Sequence, residues 1–176
     1  MTGTLAVIVA SYNRPRMLSE CLWSIHGADQ IVIADDGSDF DVAALAGRFD
    51  LPGLELVSNP PRSPERRMLE PQNGKLINRA LKAVQTDYVG YLCDDDLFDA
   101  EWPTNARAAL DYYRDFHLVR GDWRLFQDGE TRKNAPLCKF GFQPPLTAGN
   151  FVHRVSGATT ENCWWGERSL AVHDCV

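Results

Sequence analysis

The sequence predicts an α/β protein: a mostly parallel sheet with helices on both faces, and a small mixed part towards the C-terminus. Three observations carry this expectation. Short runs rich in β-branched residues alternate with segments of helical apolar spacing, the pattern of strand–helix–strand units. The early runs are continuously apolar rather than alternating, as in strands covered on both faces. The 176 residues, 44% apolar and 24% charged, suffice for one core, since folding at this length buries roughly 70% of the unfolded surface.

Leu5 to Ala10 is the first such run, punctuated by Ser11-Tyr12-Asn13-Arg14-Pro15. Pro15 suits a first helical turn, where its missing N–H costs nothing, and Leu18, Cys21, Leu22 and Ile25 then recur at helical spacing. Gln30 to Ala34 predicts a second buried strand, closed by Asp35-Asp36-Gly37-Ser38-Asp39. A short helix through Ala43, Leu45 and Phe49 and a third strand over Leu54–Val57 follow. Residues 59–73 hold four prolines and three arginines and predict a loop. From Lys75, the positions Leu76, Ile77, Ala80, Leu81 and Val84 mark one face of an amphipathic helix. Tyr88 to Cys93 is a fourth apolar strand that runs straight into Asp94-Asp95-Asp96. A helix over about 101–114 and a strand over 116–120 come next. Past Asp122 the texture changes: residues 123–133 predict a hairpin around Asp128-Gly129, 136–145 irregular chain, and 150–154 one more strand. No repeat or linker divides the chain, so residues 1–176 are expected to form a single domain, with 1–100 and a shorter 101–176 as its two halves.

Composition narrows the function classes. Eighteen Lys and Arg against 24 Asp and Glu give a net charge of −6, which disfavours a nucleic-acid backbone as partner, because affinity for polyphosphate comes from basic patches. It leaves room for an anionic ligand carried in by a divalent metal. The run from Leu5 to Ala10 is far shorter than the roughly 20 residues of a membrane helix, and no basic segment precedes it as in a signal peptide. The five cysteines are scattered, with no C-x-x-C spacing, which argues against a disulfide framework or a zinc site. A cytoplasmic protein with reduced thiols is the expectation.

Three polar clusters fall directly after strands: Ser11-Tyr12-Asn13-Arg14, Asp35-Asp36-Gly37-Ser38-Asp39 and Asp94-Asp95-Asp96. In open α/β sheets the ligand crevice lies beyond the carboxyl ends of the strands. Three adjacent carboxylates repel one another, and a hard cation such as Mg²⁺ or Mn²⁺ resolves this with one or two carboxylates, phosphate oxygens and water. A nucleotide diphosphate would complete that shell, and the cation would act as Lewis acid on the leaving phosphate. A solvated acidic turn is the simpler alternative. Asp35 and Asp36 are placed to accept from a ribose hydroxyl or a base N–H, and Gly37 allows a positive φ at the turn. A phosphatase with a D-x-D-x-T/S nucleophile loop does not fit, since the aspartates are adjacent and Gly37 takes the second position.

These motifs resemble family 2 glycosyltransferases of the GT-A fold. Val7 to Arg14 resembles the family's first strand and nucleotide loop; Ile31 to Ser38 its second strand with the D-D-G-S signature; Asn78-Arg79-Ala80-Leu81 and Asp87 to Asp96 its central helix and metal strand. The likeness covers roughly residues 5–100. It implies an enzyme of hexosyltransferase type that transfers sugar from a nucleotide-diphosphate sugar to an acceptor hydroxyl, with inversion. It makes 1–100 the nucleotide-sugar half and 101–176 the acceptor-side half.

By position, the resemblance gives Ser11, Tyr12 and Asp36, with Arg14 and Asp35 in the same loops, to base and ribose. Asp94 faces ribose or sugar, and Asp95 and Asp96 hold Mn²⁺ or Mg²⁺. Arg66 or Arg67 faces the diphosphate, where a guanidinium grips phosphate oxygens in a bidentate way. Asn150-Phe151-Val152-His153-Arg154 resembles the late strand before the acceptor side, with His153 as a third metal ligand. Trp164-Trp165-Gly166-Glu167-Arg168-Ser169-Leu170, followed by His173-Asp174, resembles the segment that ends in an E-D motif on the catalytic base, with His173 in place of the glutamate, so Asp174 is the first candidate for that role and Glu167 the second. Trp123, Trp164 and Trp165 are candidates for stacking on acceptor sugars. Cys93 stands where many members have aspartate, and the expected N-x-G-x-x-x-A-x-N is reduced to Asn78 and its helix.

The family continues beyond the E-D segment, so the chain reads as minimal or truncated, with a homo-oligomeric partner expected to cover its C-terminal end if it is active. A nucleotidyltransferase would need a G-G-x-G-T-R loop after the first strand, which Ser11-Tyr12-Asn13-Arg14 is not. A nucleotide-sugar-binding protein with lost or partner-dependent catalysis is the alternative reading.

Overall fold

The computed structural model describes residues 2–70, 72–121, 124–127, 130–133 and 151–155. In chain order these form β1 (Leu5–Ser11), α1 (Pro15–Ser24), β2 (Gln30–Asp35), α2 (Val42–Ala46), β3 (Glu55–Ser58), α3 (Pro64–Leu69), α4 (Asn73–Ala83), β4 (Tyr88–Cys93), α5 (Trp102–Tyr112), β5 (Leu118–Arg120), β6 (Arg124–Gln127), β7 (Glu130–Lys133) and β8 (Phe151–Arg154). Six of the strands make one sheet in the order β3-β2-β1-β4-β8-β5. β1 lies parallel to β2 and β4, and β2 lies parallel to β3, whereas β8 runs antiparallel to both β4 and β5. The α/β class and mostly parallel sheet expected from the sequence are what the chain adopts. β6 and β7 pair antiparallel, the hairpin expected around Asp128-Gly129.

Period two along the central strands sorts their side chains to two faces. Val7 and Val9 of β1 meet Leu18, Cys21 and Leu22 of α1 and Val42 and Leu45 of α2. On the other face Ala6 and Ile8 meet Leu76, Ile77 and Ala80 of α4. α5 covers the first face towards β4 and β8 through Ala106 and Leu110, which pack on Leu5, Tyr88 and Val152. Burying one such large aliphatic side chain contributes about 1.5–3 kcal/mol, and together these contacts fix the strand ends from which the site grows. Of the described parts of 101–155, β5 and β8 extend the large sheet, while β6 and β7 form a two-stranded sheet of their own.

One segment departs from expectation. The proline-rich stretch 59–73 is not loop throughout, because α3 lies inside it. Ser63 is its N-cap, accepting from the Arg66 N–H at 3.4 Å, Pro64 opens its first turn and Glu65 follows. Proline breaks a helix interior but fits position N1, so proline counting alone misses this turn. α4 also begins at Asn73, two residues before the apolar pattern announces it. Among the described residues no helix is long and apolar enough to cross a membrane.

Candidate functional site

Strand order reverses at β1, with β2 and β3 on one side and β4 on the other. This is the topological switch point, where open sheets leave a crevice at their carboxyl edge. The loops after β1, β2 and β4 meet there and are tied together by side chains that the sequence had singled out.

Asp94 spans the gap between β4 and β1. Its Oδ2 accepts from the Ser11 hydroxyl and from the Tyr12 N–H, both at 3.0 Å. The register supports this, because β4 pairs with β1 as far as Ala10 and Cys93, and the Asp94 N–H donates to the Ala10 carbonyl. Arg14 Nη1 reaches Asp94 Oδ1 at 3.2 Å and Asp95 Oδ2 at 2.6 Å. Asp94 is almost wholly buried. That burial raises its pKa above the ordinary carboxylate value; the donors from Tyr12, Ser11 and Arg14 oppose the shift, and Asp95 adds to it. Arg14 is itself lowered by burial, but Asp95 and Asp94 outweigh this and hold its pKa above the ordinary value.

Asp35 and Asp36 are adjacent but serve different ends. Asp35 turns inward on its own loop, accepting from the Ser38 hydroxyl at 2.5 Å and from the Ser38 and Gly37 N–H groups. It shapes the D-D-G-S turn, where its carboxylate is engaged. Gly37 has φ +81, and a Cβ there would lie 2.7 Å from the Pro60 carbonyl oxygen, so the glycine is required twice over. Asp36 faces the loop after β3. Its carboxylate takes Asn59 Nδ2 at 2.7 Å, Arg62 Nη2 at 2.6 Å and Arg67 Nη1 at 2.8 Å. The Arg67 guanidinium also lies 3.2 Å over the centroid of the Tyr12 ring, a cation–π contact. Asn13 joins the first two loops, donating to Asp39 Oδ2 and accepting from the Asp39 N–H.

The arginines that reach Asp36 are therefore Arg62 and Arg67. Arg66 is exposed, and nothing in the local sequence tells it apart from Arg67, its neighbour in α3. Arg62 was not among the predicted residues. Its signal was its place in the same arginine-bearing stretch, but only the fold shows that it lies against Asp36. Arg79 of α4 completes the wall by donating to Asn59 Oδ1 and to the Ser58 carbonyl.

Cys93, Asp95 and Asp96 each offer a donor atom, all within 4.8 Å of one another. Two exposed carboxylates suit a hard cation such as Mg²⁺ or Mn²⁺, and the thiol adds a softer donor, so this donor set fits a divalent ion. Beneath it the Cys21 thiol donates to the Cys93 carbonyl at 3.5 Å. Burial first, and then Asp94, Asp96 and Asp95, push that thiol's pKa well above its ordinary value.

His153, expected as a third metal ligand, lies elsewhere. It pairs across the sheet with Val89, four residues before Cys93 and so about 13 Å away along the strand. Its Nε2 shares a hydrogen bond with the Tyr91 hydroxyl at 2.9 Å and its Nδ1 sits 2.9 Å from the Arg154 carbonyl. Burial lowers its pKa below the ordinary imidazole value. It is a core histidine stacked on Tyr91. Asp174 and Glu167, the candidate bases, and Trp123, Trp164 and Trp165 lie outside the described residues.

Comparison with known proteins bears on the whole arrangement. The family described as Glycosyl transferase family 2 matches residues 6–158. Protein CgeD of Bacillus subtilis is 28% identical over 105 residues, covering 57% of this chain and 25% of CgeD. Among solved structures, S. aureus TarS 1-349 in complex with UDP-GlcNAc superposes with a TM-score of 0.64 at 19% identity, covering 87% of this chain and 46% of that one. Glucosyl-3-phosphoglycerate synthase from Mycobacterium tuberculosis with Mn²⁺, UDP-glucose and phosphoglyceric acid gives 0.58 at 17% identity, covering 88% of this chain and 57% of that one. The chain thus spans a quarter of the length of CgeD and about half that of the structural neighbours.

Proposed function

The chain belongs to glycosyl transferase family 2, and from that premise we propose that it moves a sugar from a nucleotide-diphosphate sugar to an acceptor hydroxyl, with inversion and with a divalent cation. The observation that carries the reading is the junction of Asp94 with Ser11 and Tyr12 across the switch point, with Asp95 and Asp96 beside it. The solved neighbours that hold UDP-GlcNAc, or UDP-glucose with Mn²⁺, support the donor class.

In this reading Tyr12 and Asp36 take the base and ribose, and Arg67 exchanges its contact with Tyr12 for the donor's diphosphate. Asp94, held rigid by Ser11 and the Tyr12 N–H, faces the ribose or sugar. Asp95 and Asp96 hold Mn²⁺ or Mg²⁺, which when bound supplies Lewis-acid stabilisation to the leaving diphosphate. A carboxylate, Asp174 or Glu167, takes the acceptor's proton as its oxygen bonds to the anomeric carbon. The bond from that carbon to the diphosphate oxygen breaks from the opposite side, which inverts the centre. General-base help of this kind is worth about 10²–10⁴-fold.

The test is donor turnover and nucleotide binding with Mn²⁺ or EDTA. We expect turnover to need the metal, to fall at least about 100-fold in Asp95→Ala-Asp96→Ala, and to fall in Asp174→Asn or Glu167→Gln. Turnover that persists in EDTA overturns the metal role. Nucleotide binding without donor consumption, under all acceptors tried, favours a binding protein of the same fold.

A further inference from the structure

We propose that the Arg14 guanidinium is a built-in rival of the cation for Asp95, so that tight metal uptake waits until the donor's diphosphate draws Arg14 away. The inference rests on the reading that Asp95 and Asp96 hold a cation.

One nitrogen, Nη1, bridges Asp94 Oδ1 at 3.2 Å and Asp95 Oδ2 at 2.6 Å. Among the described residues, every hydrogen bond of this guanidinium goes to these two carboxylates. Arg62 and Arg67 are differently placed, since both are anchored on Asp36, and Arg79 is held by Asn59 and the Ser58 carbonyl. A divalent ion arriving at Asp95 therefore meets a carboxylate oxygen already engaged and a fixed like charge beside it, and like charges at this range raise the cost of binding.

Asp94 cannot relieve the conflict by turning away. Its other oxygen is committed to Ser11 and Tyr12, and its side chain is only 4% exposed. Asp95 and Arg14 keep more freedom, at 31% and 24% exposed. The Arg14 backbone is pinned by the Leu18 N–H, which donates to its carbonyl at 2.9 Å, so only the side chain needs to move. A diphosphate entering the same crevice gives the planar guanidinium a bidentate anionic partner and frees Asp95 for the metal. Coupling of this kind is reciprocal: the diphosphate tightens the metal by the factor by which the metal tightens the diphosphate. Arg14 thus sets the order of assembly and guards the acidic edge against cations that arrive without a donor.

The experiment is Mn²⁺ titration followed by electron paramagnetic resonance, on wild type, Arg14→Gln, Arg14→Lys and, where glutamine unsettles the loop, Arg14→Met, which keeps the aliphatic stem. Each is measured without nucleotide and with whichever of UDP, GDP or dTDP raises the melting temperature. The expected result is nucleotide-free Mn²⁺ binding at least about fivefold tighter in Arg14→Gln or Arg14→Met, the low end of typical couplings. Arg14→Lys should stay close to wild type, and the gap should narrow once nucleotide is present. Nucleotide-free binding that is unchanged or weaker in the neutral variants overturns the proposal. Asp95→Asn-Asp96→Asn, titrated with nucleotide, separates the two levels. If it binds Mn²⁺ as wild type does, the metal site fails and this inference falls with it. If it loses the metal while Arg14→Gln matches wild type, only the inference falls.

Discussion

Asp36 shows how much one side chain can be asked to hold. Its carboxylate, only 7% exposed, answers two guanidinium groups and the Asn59 amide, and the Arg62 side chain beside it is only 9% exposed. Removing one partner of a buried ion pair leaves a charge without compensation, at about 3–5 kcal/mol. Asp36→Ala should therefore lower unfolding free energy by about that amount in urea titrations and abolish nucleotide binding. Equal stability would mean that the arginines find other partners. His153 makes a different prediction. Burial holds its folded pKa below 6.5, so as pH falls the unfolded chain takes up the proton first, and stability should decline progressively below about pH 6.5. His153→Gln keeps polar groups for the Tyr91 hydroxyl but cannot titrate. Its stability curve should be flatter between pH 6.5 and 5, and an unchanged slope would assign the decline to another group.

At the scale of elements, the site is made of turns that strands deliver to one edge. The turn after β2 depends on Gly37, whose left-handed φ and missing Cβ let the Pro60 backbone approach. Gly37→Ala should cost at least about 1–3 kcal/mol and, by pushing the 59–62 segment away, weaken nucleotide binding more than it weakens the fold. Melting temperature and a nucleotide titration on the same variant separate the two effects. The strands themselves were readable, because Leu5 to Ala10, Gln30 to Ala34 and Tyr88 to Cys93 are apolar on both faces and end in polar clusters. α3 was not, since six residues with no buried side chain leave no periodic signature. Its information lies in the Ser63-Pro64 start, which resembles any proline-rich loop.

For the molecule as a whole, the order β3-β2-β1-β4 places the chemistry, because it puts the loops after β1 and β4 side by side although they are 83 residues apart between Ser11 and Asp94. An open hollow of ≈ 430 Å³ lies at the opposite edge, lined by Thr4, Asp29, Gln30, Glu55 and Thr86 at the amino ends of the strands. The charged groups converge at the other edge, beyond the carboxyl ends of the strands. A ligand that binds only the folded form stabilises it by about 2.7 kcal/mol at 100 times its dissociation constant. The matching nucleotide sugar with Mn²⁺ should therefore raise the melting temperature by several degrees, and no shift with any nucleotide sugar would count against a donor site here.

The sequence by itself determined the α/β class, the order of most elements, the family likeness and the three clusters at strand ends, because each is written in neighbouring residues as apolar runs, punctuation and adjacent carboxylates. Only the tertiary structure decided which of those residues face one another. It turned Asp35 into its own loop and Asp36 towards Arg62 and Arg67, sent Arg66 to solvent, and kept His153 in the core beside Tyr91. It also set Arg14 between Asp94 and Asp95. The reason is physical: the direction of a side chain and its charge partners depend on strand register and on loops brought together from distant parts of the chain, and local sequence carries no record of that distance.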